Sequence, residues 1–233
     1  MFLSYNGNMT ILNVIATSHG TDSVAGREAI TLIREQIKFL LAQRNDGVEY
    51  RVHAAYVDVE SPSVDDAAAS LPNDEPCVIV PILLSTGFHT QVDLRRAARN
   101  SGIERISIGE SLGPDARLAA LTRARLEEAG WTPGDGPVVQ GAAGSSPVHH
   151  GFVAAIDPKF HEVVAEHQPK FAATYLLAEG FFAGKMRRDA ESTGVPVKVA
   201  SPLVNAQGGA SAAVVAECFI DRMDAAIAQL DAA

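Results

Sequence analysis

The chain has 233 residues, 47% of them hydrophobic, enough to bury the core of one large domain or of two small ones. Its formal net charge of −9 argues against non-specific binding to nucleic acid or to an anionic membrane. No apolar run approaches the ~20 residues of a membrane span, and no export signal is recognisable. Cys77 and Cys218 form no C-x-x-C pair for zinc or an iron–sulfur cluster, so a cytoplasmic location is expected.

Apolar runs alternate with helical patterns along the first half of the chain, as in a parallel α/β sheet. The first helix is predicted to start after a cap at Asp22 or Ser23, with an apolar face of residues at helical spacing: Ile30, Ile33, Ile37 and Leu41. Strands are predicted over 11–16, 49–59, 77–84 and 103–108. Further helices are predicted over 63–70, 91–100 and 114–129.

The stretch W-T-P-G-D-G-P at 131–137 is the most linker-like part of the chain. We therefore expect a first lobe over 9–130, beginning at Met9 directly before the first strand. A second lobe is expected over 138–233. Both lobes should be open, mostly parallel sheets flanked by helices.

The second half repeats features of the first. The segment V-V-Q-G-A-A-G-S-S at 138–146 can be aligned with V-I-A-T-S-H-G-T at 14–21, and Ala143 then falls on His19. Residues 173–180 resemble 54–61, and residues 197–209 resemble the run that carries His89, again without a histidine. Any two βαβ units share some strand-then-glycine patterns, but we favour an internal duplication in which the first copy keeps the chemistry.

His19 and His89 each follow the end of an apolar strand-like run. Because parallel strands end at one edge of a sheet, both imidazoles are expected where α/β sheets bind ligands. Neutral imidazole binds first-row divalent ions such as Fe²⁺ and Co²⁺, and an ordinary pKa near ~6.5 lets it accept protons at neutral pH. Two imidazoles and at most one carboxylate form an incomplete ligand shell that leaves coordination positions open.

Asp58 is the candidate for that carboxylate, or for a proton relay, because it ends the second predicted strand. We place it one element away from both histidine strands, and Glu60 is the alternative. An aspartate before Ser-Pro also commonly caps a turn, so a purely local role for Asp58 stays open.

Three segments together resemble a known family. They are A-T-S-H-G-T at 16–21, A-Y-V-D-V-E-S-P at 55–62 and P-I-L-L-S-T-G-F-H-T-Q-V-D-L at 81–94. In order and spacing they resemble the sirohydrochlorin chelatases of the CbiX and SirB type, which insert a divalent metal into sirohydrochlorin. The resemblance implies a chelatase-like α/β fold, a cleft between two lobes as the active site, and catalytic roles for His19 and His89.

This chain departs from the family pattern before His89, where S-T-G-F stands in place of an F-x-G-R type loop with its arginine. The tetrapyrrole carries several carboxylates, and arginine pairs with carboxylates bidentately. Arg95 and Arg96 are therefore assigned to the substrate, although with Arg99 they also fit a solvated helix face. The residues assigned to substrate binding are Ser18, Gly20, Gly87, Arg95 and Arg96. The two glycines are expected to allow a tight turn or a close approach to a ligand, although each also fits an ordinary loop.

The remaining histidines are not assigned to the site. His149 and His150 follow S-S-P in the second half, and they could face the cleft or the surface. His53, His161 and His167 have no such setting and are expected to be structural or exposed.

The resemblance thus implies a two-lobed sirohydrochlorin ferrochelatase of siroheme synthesis, and we expect it to act as a monomer without a tightly bound cofactor. Fe²⁺ is the expected substrate ion, and a cobaltochelatase using Co²⁺ is the alternative. A non-catalytic metal or tetrapyrrole-binding protein is a further alternative. Histidine phosphatases also carry a histidine after the first strand, but they need an arginine where Ser18 stands.

Overall fold

The computed structural model describes residues 10–85, 87–143, 151–152, 157–205 and 208–232, and only the backbone at 88, 89, 151 and 152. The strands are β1 (Thr10–Ser18), β2 (Val48–Tyr56), β3 (Cys77–Pro81), β4 (Ile106–Ile108), β5 (Val138–Ala142), β6 (Gly151–Phe152), β7 (Phe171–Tyr175) and β8 (Lys198–Val199). The helices are α1 (Val24–Ala42), α2 (Val64–Ala69), α3 (Phe88–Asn100), α4 (Ala116–Glu128), α5 (Phe160–His167), α6 (Phe181–Ser192) and α7 (Gly209–Leu230). No helix in these ranges is long and apolar enough to cross a membrane.

The strands form two four-stranded sheets, with the orders β2-β1-β3-β4 and β6-β5-β7-β8. All the strand pairings are parallel. In the first sheet Ser18 lies opposite Tyr56 and Thr17 lies opposite Pro81, so β1, β2 and β3 end at the same edge. The α/β class predicted from the alternating apolar runs is confirmed.

Burial explains why β1 and β3 occupy the centre of the first sheet. Every residue of β3 is buried, as expected from its continuous apolar run. On one face, Ile15 and Ile79 pack with Leu94 of α3 and with small residues of α2. Each such aliphatic side chain stabilises the fold by about 1.5–3 kcal/mol relative to an exposed one.

The first helix has the cap and the apolar face that its sequence predicts. The Ser23 hydroxyl accepts a hydrogen bond from the backbone N–H of Gly26 at 3.2 Å, which is N-cap geometry. Ile33 and Ile37 are fully buried and Leu41 is 4% exposed. The helix therefore covers the first sheet with the apolar face that the spacing of these residues predicts.

The chain divides into two compact units that are not continuous segments. The first comprises the described residues up to Gly20, Thr31–Gly113 and the chain from Ala213 onward, and the second comprises Thr21–Ile30 and Pro114–Ala212. Within the second unit, Leu126 of α4 packs with Ala173 of β7.

Within the first unit, the Ser107 hydroxyl donates to the carbonyl of Ala226 on α7 at 2.7 Å. The predicted lobes over 9–130 and 138–233 placed α4 with the first sheet and all of α7 with the second. The structure differs because an apolar helix face does not specify which sheet covers it.

The strand order also corrects the alignment of the two halves. In the second sheet β7 occupies the place that β3 has in the first, so residues 173–180 do not correspond to 54–61. The segment Y-L-L-A-E-G-F-F at 175–182 instead matches I-L-L-S-T-G-F-H at 82–89, and Phe182 stands at the position of His89.

Main-chain hydrogen bonds support this corrected alignment. In the first half they join Leu112 to Leu83 and Gly113 to Leu84, with N···O distances of 2.9 and 3.1 Å. The second half repeats this pattern with the donors Leu203 and Val204 and the acceptors Leu176 and Leu177. The two halves thus share backbone structure after the third strand of each sheet.

Candidate functional site

The loops that follow β1 and β2 are joined beyond the ends of the strands. The N–H of Val57 donates to the carbonyl of Ser18, and the N–H of Asp58 donates to the carbonyl of His19, both at 2.9 Å. His19 and Asp58 therefore stand side by side at the carboxyl edge of the first sheet. Both residues are exposed, so an imidazole and a carboxylate are accessible to a ligand.

Gly20 permits the close approach of these two loops. Its φ is +94°, in the left-handed region that favours glycine. A Cβ at this position would lie 1.9 Å from the carbonyl oxygen of Asp58. The tight turn expected at Gly20 is therefore required by the geometry of the His19 loop.

Asp58 has the local role foreseen as the alternative. Its Oδ1 accepts a hydrogen bond from the N–H of Val59 at 2.8 Å. Val59 has a φ of +66°, which is rare for a β-branched residue and marks a strained turn next to the site. Within the described part of the chain, the other carboxylate oxygen has no hydrogen bond and stays available.

The sheet order places Asp58 nearer to one histidine strand than to the other. β2 pairs with β1, and β3 lies on the opposite side of β1. The prediction that Asp58 is one element from both strands is therefore right for His19 and wrong for His89. The order of strands in the chain does not determine their order in a sheet, which is why the sequence missed this.

His89 lies in the first turn of α3 rather than in the loop before it. Gly87 is the N-cap residue, with φ −67° and ψ 162°, and its carbonyl accepts the N–H of Gln91 at 3.1 Å. Any residue adopts these angles, so the backbone does not require glycine at position 87. The side chain of His89 lies outside the described residues, and its direction stays a prediction.

Ser18 was assigned to the substrate, but the structure buries it. Ser18 is only 2% exposed, and its Oγ accepts a hydrogen bond from Nη2 of Arg34 at 3.0 Å. Because β1 side chains alternate between the faces of the sheet, Ser18 points toward α1 while the next residue leaves the strand. The hydroxyl is thus bonded to Arg34 inside the fold, and a contact between Ser18 and a substrate stays a prediction.

Arg34 is a feature of this edge that the sequence analysis missed. The residue is 7% exposed, and its Nη1 donates to the Tyr56 hydroxyl at 3.0 Å. A signal was present in the sequence, since this arginine lies within the apolar stripe of α1, beside Ile33 and Ile37. A basic residue at a predicted core position indicates a buried, hydrogen-bonded cation.

The arginines of α3 differ in their availability to a ligand. Arg96 forms ion pairs with Asp65 at 2.9 Å and with Asp93 at 2.7 Å. The pKa of Arg96 is raised, first by the hydrogen bond to Asp65. Arg95 is exposed and has no ion pair within the described ranges. Arg95 is therefore the better placed of the two to meet a carboxylate from solution.

Of the other histidines, one has a side-chain partner in the first unit, and the rest lie on α5 of the second unit or outside the described residues. Nε2 of His53 is 2.9 Å from Oδ1 of Asn13, and burial lowers the pKa of His53. His161 is exposed on α5, and His149 and His150 lie outside the described ranges. Where the structure is described, no three His, Cys, Asp or Glu side chains group as metal ligands.

Comparison with known sequences identifies relatives for the first half of the chain. The profile of the CbiX family matches residues 13–129. A sirohydrochlorin cobaltochelatase of Sulfurisphaera tokodaii is 30% identical over 91 residues, which cover 38% of this chain and 72% of that protein. The range that the family profile matches includes His19, Asp58 and His89.

Solved structures resemble almost the whole chain in fold. SirB from Bacillus subtilis with Fe³⁺ has a TM-score of 0.67 at 19% identity, over 93% of this chain and 95% of that one. SirB from Bacillus subtilis subspecies spizizenii in complex with cobalt has a TM-score of 0.63 at 18% identity, over 92% and 94%. A Deinococcus radiodurans protein with structural similarity to chelatases has a TM-score of 0.63 at 15% identity, over 92% of this chain and 54% of that one.

Proposed function

Because this chain belongs to the CbiX family, we propose that it is a sirohydrochlorin chelatase, an enzyme that inserts a divalent metal ion into the tetrapyrrole. One observation carries the proposal. The main-chain bond from Asp58 to His19 sets an exposed imidazole beside an exposed carboxylate at the carboxyl edge of a parallel sheet. The name of the curated relative, a sirohydrochlorin cobaltochelatase, supports the substrate.

Metal insertion exchanges one divalent ion for two pyrrole N–H protons, so the site must release an ion and accept protons. We assign the ion to neutral imidazole nitrogens of His19 and His89, with coordination positions left open for the pyrrole nitrogens. Asp58, beside His19, accepts a proton or relays it to water. The exchange balances in charge, since a doubly charged ion enters as two protons leave.

The sirohydrochlorin assay must be anaerobic because Fe²⁺ oxidises in air. Mixing protein, Fe²⁺ and metal-free sirohydrochlorin should convert the absorption spectrum of the free macrocycle over many turnovers. His19→Ala and His89→Ala should each slow this conversion by about 10²-fold or more. His161→Ala removes an exposed histidine on α5 and serves as the control, with an unchanged rate.

Two results would overturn this assignment. A spectrum that shifts once, in proportion to the protein, indicates a non-catalytic metal or tetrapyrrole-binding protein. An unchanged rate in His19→Ala removes the proposed role of the imidazole.

The metal is proposed to be Fe²⁺, giving siroheme, with Co²⁺ as the second candidate because the curated relative is a cobaltochelatase. Imidazole suits both ions, and selection between them follows geometry and supply more than affinity. Competition between Fe²⁺, Co²⁺ and Ni²⁺ at equal concentration, with sirohydrochlorin present, ranks the ions directly. Faster Co²⁺ insertion at every concentration would reassign the enzyme.

A monomer is proposed as the active form, since one chain contributes both copies of the four-stranded sheet. Light scattering after size exclusion, at the protein concentration of the assay, measures this. A mass of twice the chain would contradict it.

A further inference from the structure

We propose that Arg34 is a positioning residue for His19, an inference that rests on the chelatase function proposed above. The buried guanidinium joins the last residues of β1 and β2. It thereby determines where the His19 imidazole and the Asp58 carboxylate stand at the sheet edge. Arg34 itself does not touch the ion or the macrocycle in this proposal.

The contacts of Arg34 reach both strands at once. Nη2 donates to Oγ of Ser18 at 3.0 Å and lies 3.3 Å from the carbonyl of Ala16 and 3.4 Å from that of Ala55. Nη1 donates to the Tyr56 hydroxyl at 3.0 Å. Two hydrogens on Nη2 serve three acceptors, so the shortest of these bonds, to Ser18, carries most of the interaction.

These contacts lie next to the functional loops in the chain. Ser18 directly precedes His19, and Tyr56 stands two residues before Asp58. The guanidinium carbon also lies 4.8 Å from the centre of the Tyr56 ring, which orders both groups against each other. A change at Arg34 is therefore expected to shift His19 through Ser18, and to shift Asp58 through Tyr56 and the residue between them.

The charge of Arg34 is not explained by an ion pair. Within the described part of the chain it has no carboxylate partner, and its Nε has no hydrogen-bond acceptor. Burial of a cation in this way is unfavourable, and an apolar side chain of similar volume would fill the space more stably. The planar fork of arginine, which can bond two strands together, accounts for its presence.

Arg44, two residues beyond the C-terminal end of α1, supplies a matched control. Its guanidinium carbon lies 5.4 Å from the Tyr50 ring, near the start of β2, and Nη1 donates to the Tyr50 hydroxyl at 3.2 Å. Unlike Arg34, it forms two hydrogen bonds with Asp224, at 2.8 and 2.7 Å. It therefore tests loss of an arginine–tyrosine pair at the opposite edge of the sheet.

The first experiment compares Arg34→Gln, Arg34→Lys and Arg44→Gln in steady-state insertion of Fe²⁺ into sirohydrochlorin. Arg34→Gln should lower kcat by about tenfold or more and leave KM within about twofold, since a misplacement near ~1 Å suffices for such a loss. Arg34→Lys keeps the positive charge but lacks the planar fork that meets Ser18 and Tyr56, so it should recover part of kcat. Arg44→Gln should leave kcat and KM unchanged.

A structural role alone gives a different result. Rates would then follow the folded fraction, measured by circular dichroism, and Arg34→Gln and Arg44→Gln would lose activity in proportion to it. Such a result overturns the positioning role.

The second experiment needs no turnover. Imidazole NMR signals of the free protein are recorded, and the His19 signal is identified by its loss in His19→Ala. In folded Arg34→Gln that signal should move by more than its linewidth, while the signal of His161 stays in place. If Arg34→Gln does not fold, both the kinetic and the NMR measurements are made on Arg34→Lys.

The two experiments separate the two failures. If the wild-type chain inserts no metal, the proposed function is wrong, whatever the NMR signals show. If the enzyme is active but Arg34→Gln leaves kcat unchanged, or if the His19 signal does not move, the proposed role of Arg34 is wrong.

Discussion

The two sheets share their strand order but differ in the side chains at their carboxyl edges. Ser18 lies opposite Tyr56 in the first sheet, as Ala142 lies opposite Phe152 in the second, so Ala143 takes the place of His19. Phe182 takes the place of His89 at the start of the following helix. Strand pairing and apolar packing maintain the fold in both halves, whereas the proposed chemistry depends on a few loop residues that the second half lacks without loss of the fold.

The residues buried behind these two edges also differ in polarity. Thr17 of β1 is fully buried, and its Oγ1 has no hydrogen-bond partner among the described atoms. The matching residue of β5 is Gly141, and a Cβ there would lie 2.6 Å from the Sδ of Met186. Met186 is fully buried and fills the space. The second sheet has an apolar filling where the first keeps a polar strand end.

Exchange of the site residues should have the largest effect. The double variant His19→Ala with His89→Phe gives the first half the residues that the second half has at the matching positions. The rate of metal insertion should fall by about 10³-fold or more, because both proposed ligands are lost. Phe182→His in that background should not restore it, since the second half also has Ala143 in place of His19. Restored turnover in the anaerobic assay would show that the halves are interchangeable, against the comparison above.

Gly20→Ala should destabilise the protein by about 2–4 kcal/mol, because the new Cβ would collide with the Asp58 carbonyl as well as strain the backbone. Gly194→Ala is the matched control. Its φ is +69°, but nothing lies within 4 Å of a Cβ there, so about 1 kcal/mol is expected. Urea unfolding measures both, and equal losses would remove the close contact as the cause.

Two buried threonines, one in each sheet, should respond to valine with opposite signs. Thr17→Val removes a hydroxyl without a partner and should stabilise the fold by about 0.5–1 kcal/mol. Thr174→Val removes a hydroxyl that donates to the carbonyl of Ala200 at 2.6 Å and should cost about 1–3 kcal/mol. Thermal unfolding tests this, and a destabilised Thr17→Val would indicate a partner for that hydroxyl.

His53→Gln should have the smallest effect, and on stability rather than turnover. Burial lowers the pKa of His53 in the folded state, with a smaller contribution from the charge of Arg51. The unfolded chain therefore takes up the proton first, so this contribution to stability is present above pH ~6.5 and is lost as the pH falls. The variant should show a flatter loss of stability below that pH in urea titrations, and an identical slope would exclude His53 as a cause.

Particular features of the fold followed from local patterns. The nearly continuous apolar run at 77–84 predicts a parallel strand covered on both faces, and β3, which ends earlier at Pro81, is buried throughout. The cap at Ser23 and the spacing of Ile33 and Ile37 predict the start and buried face of α1. Gly20 was predicted to be needed for a tight turn, and the Asp58 carbonyl supplies the reason.

Other features needed contacts between distant segments. Asp58 was placed equally near to both histidine strands, but β1 lies between β2 and β3. Ser18 was assigned to the substrate, but it bonds Arg34, sixteen residues later in the chain. The helix α4 was assigned to the first sheet, but its Leu126 packs on the second.

The amino-acid sequence by itself determined the α/β class and placed the ends of the first four strands to within three residues, because periodicity and turn chemistry act over a few neighbours. Tertiary structure alone decided which strands are neighbours, which sheet each helix covers, and which groups the buried Arg34 bonds beneath the loop of His19. Those outcomes depend on pairing and burial between segments far apart in the chain, and no local pattern encodes them.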